Sequence, residues 1–510
     1  MENASGRVRV RHPVWRGLAT APQKQYPLCM ALPVGIDIGT SGLRAVAYSE
    51  LLSVKWEIER SFRPTISDAS RAEMDPEVVH EALRSVLEEA VRREGGNIVL
   101  TLSTVMHSLL ALDEHDKPLG NAMLWADTRS VRECTDLAKQ YGEPFFYERT
   151  ACPLHSSYWP GKILWLKKHA DFKRIRRLAS LKAYLLLQLT GSLITDHSVA
   201  SSSGVFNIHS KTFDPDILQA LGVTEEMLPR PVPCEETVEV RVGSRSVPLI
   251  IGATDGVYAN LGSGALSADD AVITLGSSSA VRFTSKSPVL DPHRRSWCYI
   301  LDAEHYVYGE ASNSGGLTVG WLGELLGFDD VQAMVDSLVP ETGSLPNDVL
   351  VVPTFMSERA PDYQETIPGR IDGLHAGQTR EHVVNGLVEG VAFFNRMLFD
   401  DLLRLRCPIS GSENPPGRLF VTGGLGSSPR IRALLSRVIM PVSRRPEHER
   451  LTALGAAMFG RHVHSNESYA NLTALLPEAE LFVQRENQEL DDYLEKKYNR
   501  FLDAYRAIVT

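Results

Sequence analysis

Two short segments carry residue types suited to holding phosphate. In the first, an apolar run from Val34 to Ile38 contains Asp37 near its end. A Gly39-Thr40-Ser41-Gly42 turn follows, and a second apolar run returns through Arg44 to Val46. A carboxylate in that place can hold a divalent cation, and the turn offers backbone N–H groups and hydroxyls. Its glycines let the chain turn tightly and approach a phosphate. The same residues would also make an ordinary β-hairpin. A second segment repeats the layout, with an apolar run from Ala271 to Leu275 through Thr274, then Gly276-Ser277-Ser278-Ser279, then an apolar run through Arg282 to Phe283. Two such hairpins, one in each half of the chain, predict a duplicated domain and a nucleotide gripped from both sides.

Other chemistry-bearing residues fall at the ends of apolar runs. Ile98 to Val105 reads as a strand ending at Met106-His107-Ser108. Leu119 to Trp125 leads into Ala126-Asp127-Thr128-Arg129. Val247 to Ile251 ends at Gly252-Ala253-Thr254-Asp255-Gly256, and Leu419 to Val421 at Thr422-Gly423-Gly424-Leu425-Gly426. Such strand ends are where α/β folds place ligands. Asp255 suits a general base and equally a helix cap. Asp127 and Arg129 suit substrate hydroxyls or a carboxylate, or a plain surface ion pair. His107 fits a substrate hydrogen bond or a structural one. Trp125 fits packing beneath a ligand or in the core.

The positioning elements alternate strand and helix, as in an α/β protein. Asp75-Pro76 opens a helix whose apolar positions Val79, Leu83, Val86, Leu87 and Ala90 form one face. Further long helices are expected at 382–403 and 491–508. The boundary between halves is expected near 261–270, dividing the chain into a lobe at 31–265 and a lobe at 266–510.

With 510 residues, 43% apolar and 23% charged, the composition is that of a globular protein with large cores. A net charge of -10 argues against a general nucleic-acid binder. No apolar run approaches a membrane span. Six widely scattered cysteines without a CxxC spacing suggest neither a zinc site nor a disulfide framework, and so a reducing, cytoplasmic setting. Residues 1–30 hold five basic residues against one acid, Glu2, and are expected to form a disordered extension. The P-loop, GxGxxG and HExxH signatures are missing. Ser201-Ser202-Ser203-Gly204 lacks the GxSxG frame of an esterase.

Taken in order, the Asp37 segment, Trp125-Ala126-Asp127-Thr128-Arg129, Gly252 to Gly256, the Thr274 hairpin and Gly423 to Ser428 resemble the FGGY carbohydrate kinases. That resemblance implies two ribonuclease-H-like lobes of the actin and hexokinase type, with a catalytic cleft between them. It implies ATP-dependent phosphorylation of a sugar or sugar-acid hydroxyl, with ATP and Mg²⁺ as cofactors. Asp37 would hold the metal, and Thr40, Ser41 and Arg44 would meet the phosphates from one lobe. Thr274, Gly276 and Ser277 would meet them from the other. Asn313, Gly316, Gly423, Gly424 and Ser427 would line the nucleotide side. Asp255 would be the base, and His107, Trp125, Asp127 and Arg129 the substrate contacts. Within the family the segments at 106–109, 125–127, 149–155 and 253–257 are most similar to the gluconate kinases, with xylulose or another ketose as the alternative acceptor. Arg44 stands where those kinases commonly show Lys. A non-catalytic ATP-binding scaffold of the same fold is the alternative of a different class. The expected partner is a small-molecule substrate, with a homodimer left open.

Overall fold

The computed structural model describes residues 31–510 apart from 67–69, 357, 365–366, 412–413 and 510, so the extension expected at 1–30 lies outside the described residues. Two sheets organise the rest. The first contains β1 (Leu32–Ile38), β2 (Gly42–Tyr48), β3 (Val54–Ser61), β4 (Ile98–Thr104), β5 (Thr237–Val242) and β6 (Arg245–Thr254), in the order β5-β6-β4-β1-β2-β3. The second contains β7 (Asp270–Leu275), β8 (Ser279–Ser285), β9 (Trp297–Ile300), β10 (Tyr306–Ser312), β11 (Arg418–Thr422), β12 (Val442–Arg445) and β13 (Glu480–Val483), in the order β9-β10-β8-β7-β11-β12-β13.

The expected duplication is visible in the pairing. β1 runs antiparallel to β2 and parallel to β4, and β7 runs antiparallel to β8 and parallel to β11. Each hairpin therefore places its Gly and hydroxyl turn at the carboxyl end of a central strand, with a parallel strand ending beside it. Both central strands are almost wholly buried, which explains their unbroken apolar runs.

The helices follow the expected patterns with longer bounds. Helix α1 (Pro76–Glu94) is capped by the Asp75 side chain, which accepts from the Glu77 N–H at 2.9 Å. It buries Val79, Leu83, Val86, Leu87 and Ala90. Helices α2 (Trp159–His169) and α3 (Asp255–Gly262) flank the site. The long C-terminal helices span Arg380–Ser410 (α4) and Gln488–Val509 (α6).

One helix crosses the expected division of the chain. Helix α5 (Leu451–Ser465) packs on β1, β4 and α3, all from the first half. The contact is backbone on backbone. A Cβ at Gly35 would fall 2.7 Å from the Ala453 carbonyl carbon, and one at Gly455 would fall 2.9 Å from that of Tyr258. At Gly262 the corresponding distance, to Leu451, is 2.8 Å. The first sheet thus takes part of its cover from sequence 200 residues downstream, which no local pattern announces.

Candidate active site

Asp37 is the second-last residue of β1 and lies opposite Arg44 of β2. One carboxylate oxygen accepts from the Ser103 hydroxyl of β4 at 3.2 Å. Burial, and then the charge of Asp255, push its pKa up to about 7. Asp255 opens α3 directly after β6, and its carboxylate accepts from the Gly256 N–H at 2.7 Å. Burial raises it to about 6, against the pull of that N–H and of the Arg282 guanidinium. The two carboxylates therefore share one electrostatic neighbourhood, although 218 positions separate them in sequence.

Arg282 of β8 links this pair to the second hairpin. Its Nη1 donates to Thr274 Oγ1 at 2.8 Å, and Thr274 Oγ1 lies 2.9 Å from Thr422 Oγ1. Arg282 Nε is buried without a hydrogen-bond partner among the described residues. Burial lowers the guanidinium to about 10, with Asp255 opposing that shift.

The second hairpin is packed against two glycine turns. Gly316 N–H donates to the Gly276 carbonyl at 2.8 Å and Leu317 N–H to that of Ser277 at 2.9 Å. A Cβ on Gly316 would fall 2.7 Å from the Gly276 oxygen. Gly423 has φ 87°, and a Cβ there would fall 2.8 Å from Gly276 N. Only glycine satisfies both the backbone conformation and the approach at 423. Gly423 and Gly424 are exposed, and Ser427 Oγ donates to the Gly424 carbonyl at 2.6 Å. Asn313 is held by its N–H on Glu358 at 2.8 Å, a buried carboxylate that also accepts from the Ser312 and Ser314 hydroxyls. Thr40 and Ser41 form the open turn between β1 and β2. Glycine backbone and hydroxyls thus occupy the turns of both hairpins, and the Asp37 and Asp255 carboxylates act on each other close to the first.

A cavity of ≈ 80 Å³ opens next to Arg282, lined from both halves of the chain by His107, His155, Tyr158, Tyr299, Arg359 and Tyr363 among others. His107 has φ 63°, an unusual backbone conformation for a non-glycine residue and one often found at functional sites. Its Nδ1 lies 2.7 Å from the Ser202 carbonyl, which can only accept, so Nδ1 carries the proton. Burial holds the ring near pKa 3 and hence neutral, which leaves Nε2 as an acceptor. Arg359 donates to the Ser312 carbonyl at 3.3 Å and lies 5.0 Å over the Trp125 ring, while its Nε is buried and has no hydrogen-bond partner among the described residues.

The remaining expected residues are placed differently. Asp127 is fully buried and binds Arg129 through both oxygens, at 2.9 and 2.7 Å, while also accepting from the Ala72 N–H. Arg129 adds Glu73 at 2.6 Å and stacks over Trp165. Their polar groups are spent on each other and on the fold, in a buried ion pair where the sequence allowed a ligand contact or a surface pair. The Arg44 guanidinium is tied to Glu57 at 2.6 Å and Glu59 at 2.9 Å of the next strand. It acts on Asp37 through its charge, which lowers that carboxyl slightly against burial. Trp125 is half-buried beneath Arg359, its carbonyl accepting from Ser157 Oγ at 2.9 Å. Sequence reasoning missed Arg282, Tyr158 and Tyr299. A single arginine inside an apolar strand and two scattered tyrosines carry no spacing signal.

The donor set fits a magnesium–nucleotide complex. Mg²⁺ commonly takes one or two carboxylates and completes its octahedron with water and phosphate oxygens. Asp37 offers one such carboxylate, and no cluster of three or more His, Cys, Asp or Glu that could hold a metal occurs among the described residues.

Comparison with known proteins gives the same picture. Residues 32–262 match the N-terminal domain of the FGGY family of carbohydrate kinases, and residues 271–463 its C-terminal domain. The gluconokinase of Bacillus subtilis (strain 168) is 26% identical, over 94% of this chain and 99% of its own length. The xylulose kinase of Lactococcus lactis subsp. lactis is 25% identical over 84% of this chain and 87% of its own. Among solved structures, a gluconate kinase from Lactobacillus acidophilus superposes with TM-score 0.83 at 23% identity, over 93% of this chain and 97% of its own. A xylulose kinase from the same organism gives 0.84 at 22% identity, over 94% and 98%. Two matched domains in order, a duplicated hairpin fold and a cleft built by both halves together place this chain in the FGGY family of carbohydrate kinases.

Proposed function

We propose that this kinase transfers the terminal phosphoryl group of ATP to a hydroxyl of a sugar acid, with D-gluconate as acceptor and 6-phosphogluconate as product. The observation that carries the acidic acceptor is the cavity lining. It holds two guanidiniums, Arg282 and Arg359, each with a buried unpartnered Nε, and no Asp or Glu among its described residues. Buried guanidiniums call for an anion, and a carboxylate matches their paired donors. A neutral ketose would bring no charge to these donors, and Arg282 would have only the field of carboxylates outside the cavity lining, such as Asp255.

In this reading Asp255 accepts the proton of the attacking hydroxyl. A carboxylate near pKa 6 is ionised at neutral pH and basic enough to share that proton as the bond to phosphorus forms. The neutral His107 accepts from an acceptor hydroxyl through Nε2. Thr40 and Ser41 from one hairpin, and Thr274, Gly276 and Ser277 from the other, meet the phosphates. Gly316, Gly423, Gly424, Ser427 and Asn313 line the nucleoside side. Arg282, bridging Thr274 and the field of Asp255, stands where negative charge would move between donor and acceptor. Asp37 would hold Mg²⁺, which when bound would neutralise the phosphates, and Asp255 would stay free as the base. The acceptor would enter while the two lobes are parted, and their closure would exclude water.

The test is an ADP-release assay with Mg²⁺-ATP and gluconate, xylulose, ribulose or glycerol. Gluconate is expected to give the highest kcat/KM. A higher value for a ketose or glycerol overturns the acid reading. Release stimulated by none of them overturns the kinase reading in favour of an ATP-binding scaffold.

A further inference from the structure

The strongest unexplained group near the cavity is Lys162, in the first turns of α2 and fully buried. Its Nζ donates to three backbone carbonyls, those of His107, Leu124 and Ser157, each at 2.8 Å. An ammonium has three protons, so its donors are saturated. These carbonyls belong to three separate loops, and each loop brings a group to the site. His107 presents its ring to the cavity and Ser157 lines it. Leu124 is joined to Trp125, whose ring lies beneath Arg359.

Lys162 makes no ion pair among the described residues, and Asp127 acts on it only through its field. Burying an ammonium without a carboxylate costs several kcal/mol, and apolar packing of equal volume usually serves stability better. Stability alone therefore gives little reason for a lysine here. One of the residues it holds, His107, has its backbone in the left-handed region. Neighbouring bonds brace the same point. Trp159 Nε1 donates to the Ser108 carbonyl at 2.9 Å, and Ser157 Oγ to that of Trp125 at 2.9 Å.

We propose that Lys162 is the positioning residue of the acceptor pocket, fixing through its three carbonyl bonds the relative placement of His107, Trp125 and Ser157. The inference rests on the cavity being the acceptor site. Lys162→Met keeps the length of the side chain and removes all three donors. The variant is expected to raise the KM for gluconate at least tenfold, lower kcat by a smaller factor, and leave the dissociation constant for ATP, measured without acceptor, within twofold of the parent. Lys162→Gln, which keeps two N–H donors, is expected to fall between the two. An acceptor KM within twofold of the parent overturns the proposal. So does a parallel loss of ATP affinity, or failure of both variants to fold, since each marks a general structural role. A parent enzyme that phosphorylates no acceptor overturns this inference together with the kinase reading, whereas an active parent with unaffected variants overturns this inference alone.

Discussion

Replacing Asp255 with Asn separates catalysis from stability with opposite signs. The carboxyl is raised from 3.8 to about 6. That shift of roughly two units, at ~1.4 kcal/mol each, means the ionised carboxylate costs the folded state about 3 kcal/mol. Asn keeps the size and removes the charge. That shift already includes the pull of Arg282, so a gain of about 2–3 kcal/mol is expected. The sign follows from linkage. A carboxyl whose folded pKa lies above its unfolded one penalises folding only where the unfolded form is already ionised. The penalty is absent below about pH 4, grows as pH rises towards 6, and is constant above. Thermal melts of Asp255→Asn and the parent should therefore coincide near pH 4 and diverge by pH 6.5, with the variant melting higher. Turnover with gluconate should fall by about 10²–10⁴, with ATP still bound. A variant that melts lower at pH 7.5, a gap that does not close towards pH 4, or turnover within tenfold of the parent would each refute the assignment of a buried, destabilised base.

Two further outcomes test other parts of the site. Gly423→Ala forces a side chain into left-handed backbone against the Gly276 amide, and isothermal titration should show ATP affinity weakened at least tenfold. Asp127→Ala leaves a buried Arg129 short of one partner and should destabilise the fold by about 3–5 kcal/mol in denaturant melts, while the acceptor KM of the surviving folded enzyme changes little. A large KM effect without destabilisation would restore Asp127 as a substrate contact.

The two hairpins and the 423–424 turn were legible because each is local in sequence. Asp37 with Thr40, Thr274 with Gly276, and the glycines at 423–424 each sit in one contiguous strand and turn, so residue type and order were enough. Asp255 was legible for the same reason, at the end of the apolar strand β6. The cavity beside Arg282 was not. Lys162 looked like one more polar position on a helix, because its three partners lie 5, 38 and 55 residues away. Arg282 broke the alternation of a strand without saying which cavity it would enter. Asp127 and Arg129 are two apart, a spacing that suits a ligand contact and a mutual bond equally. Burial decided between them, and burial is set by elements far away in sequence. The lobe boundary expected near 261–270 falls between the last strand of the first sheet and the first strand of the second, yet α5 returns across it.

That returning helix has a consequence for synthesis. The groove over Gly35 and beside α3 is shaped for the backbone of residues 451–465 and cannot be filled by side chains of its own half. During translation the first sheet emerges complete in sequence by residue 262 but must wait for α5. At roughly 5–20 residues per second the delay is on the order of 10–40 s. For that interval an unbroken apolar strand lies beneath a missing roof, and the nascent chain is most open there to chaperones and to wrong partners. The step that closes it ties the two halves into one cooperative body, so neither half is an independent folding unit.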